Sequence, residues 1–295
     1  MKNTVSIVRV WNLQNWQLEK KWEARQGRVW SVAFSPDSQQ IASAGEDGTV
    51  RLWNLQGQQL IEFKEHQGSV RKVSFSSDGQ LIASVGDGKI IRVRNLQNQQ
   101  VIELKGHQKS VSSVGFSPDG QQIVSAGNNS TIHVWDFKGQ LQRKFEGHLG
   151  PVNSLVFSPD GKQIISGGDD GTIRLWNLQN GLKERLFQLY GPKVMSVVSS
   201  RDGKRIFSGA SNGTVQLWNL EMEDQLPLAV WKTQQSSVNS ITLSQDNKLL
   251  ATAGGDGSVK VWQIETFDQL RQQTCDRLHD YLENNPNSER HLCNN

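Results

Sequence analysis

Apolar residues along this chain fall in short runs with strand-like alternation, separated by polar turn clusters. The run VRVWNL at Val8–Leu13 returns as VRLWNL, IRVRNL, IHVWDF, IRLWNL, VQLWNL and VKVWQI. The aligned positions are Trp11, Trp53, Arg94, Trp135, Trp176, Trp218 and Trp262, at intervals of 42, 41, 41, 41, 42 and 44 residues. Self-similarity at so constant a period means one supersecondary unit stacked repeatedly along the chain. Within each interval a polar turn such as QGQQ leads to a short run such as LIEFKEH. An alternating run such as VWSVAFSPD follows, and then a QQIASAGEDG-type segment. Val, Ile, Trp and Phe between SPDG and EDG clusters read as strands joined by tight turns, four strands per repeat. Asp-Gly and Asn-Gly between the second and third strands favour a hairpin turn with positive φ. No helical period precedes Glu265.

Period, turn chemistry and aromatic positions together resemble the WD-repeat family over about nine-tenths of the chain, with repeats of about 40–45 residues and a G-H…W-D signature. Gly-His is intact at Gly106-His107 and Gly147-His148, whereas His66 follows Glu65; Trp-Asp is literal only at Trp135-Asp136 and is usually Trp-Asn. The resemblance implies an all-β propeller: six complete four-stranded repeats plus an N-terminal partial repeat, with a short C-terminal helix. The expected boundaries are a partial repeat at 1–24 and repeats at about 25–64, 65–105, 106–146, 147–188, 189–232 and 233–264. A C-terminal helix and tail occupy 265–295.

The same resemblance implies a hydrogen-bonded tetrad of His, Ser or Thr, Asp and Trp in each blade. Only His148, Ser166, Asp170 and Trp176 make a complete set. The other sets are Arg25, Ser43, Asp47, Trp53; His66, Ser84, Gly88, Arg94; His107, Ser125, Asn129, Trp135; Tyr190, Ser208, Asn212, Trp218; and Gln234, Thr252, Asp256, Trp262. A charge-assisted hydrogen bond and one buried large apolar side chain are each worth about 1.5–3 kcal/mol. Since every repeat carries several such side chains, packing must dominate where the tetrad is broken. The second repeat, without Asp or Trp, is expected to be the weakest.

Six first strands and seven third strands leave the ring ends unequal. Trp16–Ala24 is the natural candidate to lie beside Val259–Ile264 and cover the edge of the last sheet, as N-terminal strands do in similar propellers. Charge agrees: residues 1–28 carry six Lys or Arg against two acids, and residues 265–295 three Arg against six acids. Val5–Leu13 is then surplus, either a fifth strand of that blade or the remnant of a longer array. From Phe267 the apolar residues step by three and four up to Pro286, an amphipathic helix that caps the last blade or docks a partner. This tail also resembles the C-terminal end of large cyanobacterial WD-repeat proteins.

Composition narrows the function. The 295 residues have 35% hydrophobic and 21% charged content and no long apolar run, which argues against a membrane protein and for a cytoplasmic one. A net charge of +3 is too small to point to nucleic acid. The two cysteines, Cys275 and Cys293, stand in the tail and read as free thiols. With His279 and His291 they match no standard zinc spacing. Gly209-Ala210-Ser211-Asn212-Gly213 fits a G-x-S-x-G nucleophile elbow, but it aligns with GEDG-type hairpins. No cofactor, metal site or catalytic set is expected. In similar propellers the upper face binds peptides through the residue after the first Val of each first strand and the residue before the hairpin Asp. Those positions carry Trp30, Arg71, Ser112, Asn153, Met195 and Asn239, with Glu46, Asp87, Asn128, Asp169, Ser211 and Gly255. The expectation is a non-catalytic protein-interaction scaffold with a protein or peptide partner, as a monomer or within a larger complex. The alternatives are a sensor or autoinhibitory propeller of a larger bacterial signalling protein and, more remotely, a propeller enzyme.

Overall fold

The structure, a computed structural model, describes residues 6–264 except 65, 182, 190 and 223–225. It is all-β, with twenty-five strands and no helix among the described residues. Six consecutive antiparallel meanders form the blades: Val29–Lys64, Val70–Lys105, Val111–Glu146, Val152–Gln188, Val194–Lys232 and Val238–Gln263. The first five are four-stranded and the sixth is three-stranded, so the expected six complete repeats become five and a shorter one. The helix and tail expected at 265–295 lie outside the described residues.

From blade 1 to blade 5, each first strand packs on the first strand of the next blade. The core therefore lies in the seams between sheets. In the seam of blades 1 and 2, Ala42, Ala44, Val50, Leu52 and Phe63 meet Val70, Val73 and Ile82, all buried. Blades 4 and 5 repeat this with Ile165, Ile173, Leu175 and Phe187 against Val194, Val197 and Trp218. Burying each of these aliphatic side chains stabilises by about 1.5–3 kcal/mol, so a seam needs no polar network to hold.

The turns explain why the Trp-Asp signature is mostly Trp-Asn. Asn54, Asn95, Asn177 and Asn219 each accept, through Oδ1, the N–H two residues on, as Asp136 does in blade 3. Either side chain closes an Asx turn, so the substitution costs the turn nothing. At the same lower edge, Asp37, Asp78, Asp119, Asp160, Asp202 and Asp246 accept from the hydroxyl two residues before them.

The N-terminal segment departs from expectation. Gln17–Glu23 pairs with Ile7–Asn12 in a separate two-stranded sheet, and not with Val259–Gln263. Its register shift between Val10 and Trp11 is that of the third and fourth strands elsewhere, at Leu52/Trp53 and Leu175/Trp176. Trp22 also stands 5.8 Å from Trp53, the relation that Phe145 has to Trp176 at 5.4 Å and Phe187 to Trp218 at 5.2 Å. The hairpin is thus the outer half of a blade placed ahead of blade 1. A tight local turn at Asn12–Asn15, with Asn12 Oδ1 accepting from Gln14, makes this short-range pairing cheaper in chain entropy than one across the ring.

The inner half of that sector is not filled by described residues. Val32 is 54% exposed and Phe34 56%, while Val73, Val114, Leu155, Val197 and Ile241, which correspond to Val32, are 1–6% exposed. At the other end Val259 is 68% exposed, against 1% for Val50.

Candidate functional site

The six first-strand candidates share one backbone feature. In every blade the register between the first and second strands shifts across them: between Val29 and Ser31, Val70 and Lys72, Val111 and Ser113, Val152 and Ser154, Val194 and Ser196, and Val238 and Ser240. Trp30, Arg71, Ser112, Asn153, Met195 and Asn239 are the unpaired residues of these six bulges. A bulge re-aims its side chain out of the sheet, and all six line one cavity at the axial mouth. The backbone opposite is tight there: a Cβ on Gly127 would lie 2.2 Å from the carbonyl oxygen of Ser110, so blade 3 needs glycine at this point.

The residues before the hairpin Asp do not line that mouth; they hold it. Asp87 accepts from Arg71 Nε at 2.8 Å, and Asp169 accepts from Asn153 Nδ2 at 2.8 Å and pairs with Lys193 at 2.5 Å. Glu46 accepts the main-chain N–H of Arg28, and Asn128 donates to Ser110. Partial burial alone would raise the Asp87 carboxyl, but the Arg71 hydrogen bond and charge bring it below the usual carboxylate range. Ser211 accepts the Lys193 N–H, and Gly255 offers no side chain.

Trp30 is 38% exposed, yet it is not bare. The Arg71 guanidinium carbon sits 4.2 Å from its ring centroid and that of Arg28 sits at 5.6 Å. Trp30, Arg71 and Asp87 therefore form one row across two blades, a ring covered on one face by a cation that a carboxylate fixes in place. Sequence reasoning missed Lys72, which also lines the mouth. Its signal was available: Ser31, Ser113, Ser154, Ser196 and Ser240 hold the same position in the other blades.

The tetrad of blade 4 is assembled. Trp176 Nε1 donates to Ser166 Oγ at 2.8 Å, and Ser166 Oγ lies 2.7 Å from His148 Nε2. His148 Nδ1 lies 2.9 Å from Asp170 Oδ2. A neutral His148 with its proton on Nδ1 lets every donor in this relay find an acceptor. Asp170 also accepts from Leu149 N–H, Thr172 Oγ1 and Arg174 Nη2. Burial would raise its carboxyl, but these donors and His148 hold it well below the usual range.

Two expected tetrad members are displaced by one residue. Gln26, not Arg25, accepts from Ser43 Oγ at 2.5 Å and donates to Thr49 Oγ1 at 2.9 Å; Arg25 is exposed. Gln235, not Gln234, donates to Ser258 at 2.9 Å. Arg25 and Gln234 have positive φ, 51° and 60°, and each sends the following side chain inward. In blade 3, Asn129 replaces the carboxylate at 3.0 Å from His107. His133 stacks on His107 at 4.0 Å and is buried, as is Arg174 at the aligned third-strand position of blade 4. Tyr190 lies outside the described residues. Gly209–Gly213 runs from the second strand of blade 5 through a turn into the third, a strand-to-strand hairpin with no helix behind it.

Comparison with known proteins agrees with this geometry. The family described as "WD domain, G-beta repeat" matches residues 16–54, 57–94, 98–136, 139–177, 183–219 and 225–263. Among curated relatives, small ribosomal subunit protein RACK1y of Oryza sativa subsp. japonica is 50% identical over 54 residues, 18% of this chain and 16% of that protein. WD repeat-containing protein slr1409 of Synechocystis is 38% identical over 50 residues, 17% and 15% of the two chains. Small ribosomal subunit protein RACK1 of Caenorhabditis elegans is 42% identical over 55 residues, 18% and 17%. Each match spans about a sixth of the relative's length. Six matched repeats on six blades settle the family: the chain belongs to the WD40 repeat family of β-propellers.

Proposed function

We propose that this propeller is a non-catalytic scaffold that docks an extended segment of a protein partner across its upper mouth. WD40 domains generally mediate protein–protein interactions, and the reading for this chain rests on the six bulges that turn Trp30, Arg71, Ser112, Asn153, Met195 and Asn239 toward one opening. An aromatic and an arginine held together on a polar rim have the composition of a binding hot spot. Preorganisation adds to it, because Asp87 already fixes Arg71 and a partner need not order it on arrival. The test is affinity capture with wild type and with Trp30→Ala/Arg71→Ala, each checked by its melting temperature. Loss of a specifically captured protein by tenfold or more with little change in melting supports the reading. Undiminished capture by the double variant refutes it.

A further inference from the structure

The residue after each bulge forms a second ring deeper in the channel, and in five blades it is serine. In four seams that serine accepts a main-chain N–H from the next blade. Val73 N lies 3.4 Å from Ser31 Oγ, Leu155 N 3.2 Å from Ser113, Val197 N 3.1 Å from Ser154 and Ile241 N 3.1 Å from Ser196. A hydroxyl used as an acceptor keeps its own proton to donate. Among the described residues these four serines make no hydrogen bond as donors.

Lys72 interrupts the series. Its side chain lines both the upper cavity and the lower one beneath it, and so stands at the waist of the channel, with Ser154 and Ser196 lining both cavities as well. The charged residues lining the two cavities are Arg71 and Lys72, with no carboxylate among them. Arg71 is engaged by Asp87 and Trp30; Lys72 has no ion-pair partner among the described residues. Burial pushes its amine down from the ordinary lysine range. A half-buried cation without a counter-charge is an unfavourable arrangement by itself, and an anion beside it reverses the balance.

We propose that Lys72 and the serine ring form a binding site for a phosphate-type oxyanion on the propeller axis. The ammonium offers three donors and the serines of the neighbouring first strands one each, a donor-rich, acceptor-poor lining suited to a group with several charged oxygens. The phosphate could come free, as a small molecule, or on a phosphorylated side chain entering from the mouth; the chemistry recognised is the same. This site stands independently of the docking reading above.

The experiment titrates inorganic phosphate, and separately a short phosphoserine peptide, into the intact chain at constant ionic strength set with chloride. Melting temperature and the NMR signal of the Lys72 side-chain nitrogen are followed. Lys72→Ser restores the residue carried by the other blades and so should fold; Lys72→Arg keeps the charge. A saturable rise in melting and a shifted Lys72 signal are expected in wild type, with affinity at least tenfold weaker in Lys72→Ser and largely kept in Lys72→Arg. Response to inorganic phosphate supports a free-anion site, and response to the peptide alone supports a phosphopeptide site. No saturable response to either, or one of equal size in Lys72→Ser, overturns the proposal; the latter result is general stabilisation by excluded salt.

Discussion

Blades 4 and 2 share the register of their first three strands, yet one has its whole polar network and the other has half. In blade 4, Trp176, Ser166, His148 and Asp170 are connected end to end, and Arg174 and Thr172 close the carboxylate. In blade 2, His66 still meets Ser84 at 2.9 Å, but Gly88 offers no carboxylate and Arg94 stands where the indole would be. Blade 2 is nonetheless as well buried: Ala83, Val85, Ile91 and Val93 are 0–1% exposed. The difference separates the two tasks of the tryptophan. Covering the aromatic of the preceding blade survives, since the Arg94 guanidinium lies 4.4 Å above the Phe63 ring as Trp176 lies against Phe145. Anchoring the second-strand serine does not. Seam packing thus specifies the blade, and the tetrad adds local stability to it.

Removing a large ring from the complete blade should break this comparison most strongly. Trp176→Ala is expected to cost about 3–5 kcal/mol in unfolding measurements, because it empties a buried site and removes the indole donor to Ser166. Arg94→Ala should cost less than half as much; similar losses would mean that blade 2 depends on a side chain the structure makes peripheral. Asp170→Ala comes next, at about 3 kcal/mol, since it leaves Arg174 and His148 without their acceptor. For the same reason His148→Ala should lower the melting temperature more than His66→Ala does, and equal shifts would count against the tetrad argument.

Acid sharpens the contrast in another way. Burial, aided by Arg92, lowers His66 to about 4, and burial together with His107 lowers His133 to about 3. Between pH 6.5 and 4 the unfolded chain therefore takes up protons that these folded histidines refuse, and stability falls as pH falls. Asp170, held low in the fold, keeps its contribution until the pH drops below the ordinary aspartate range. His66→Gln should flatten the stability–pH curve between 6.5 and 4 by about 1.4 kcal/mol per unit at most, while the same change at His107 also reports on the stacked pair. The smallest expected effect is a gain. Gly88→Asp with Arg94→Trp should raise stability by about 1 kcal/mol, since Gly88 has free space where a Cβ would stand.

The strands, the period and the seven aligned positions, six of them tryptophan, were readable because they depend on side-chain spacing alone. The tetrad of blade 4 followed from the family resemblance carried over residue by residue. Gln26 and Gln235 were not readable, because a single positive φ at Arg25 or Gln234 moves the inward position by one residue and leaves no mark in the spacing. The pairing of Gln17–Glu23 was misplaced because both candidate partners carry the same third-strand pattern, and only chain entropy distinguishes the near one. The six first-strand candidates share one opening and the residues before the hairpin Asp do not line it; that each of the six is a bulge, and that Arg71 covers Trp30, leaves no mark in the sequence. Lys72 could have been found as the one exception to a repeated serine.

The docking account is tested most directly by backbone hydrogen exchange on the propeller with a captured partner bound. Protection is expected to gather on the upper edge, at segments 28–31, 69–72, 110–113 and 151–154, with the lower-edge turns at 36–39, 77–80 and 118–121 unchanged. Protection concentrated on those lower turns or on the outer fourth strands, with the upper segments exchanging as in the free protein, would contradict it.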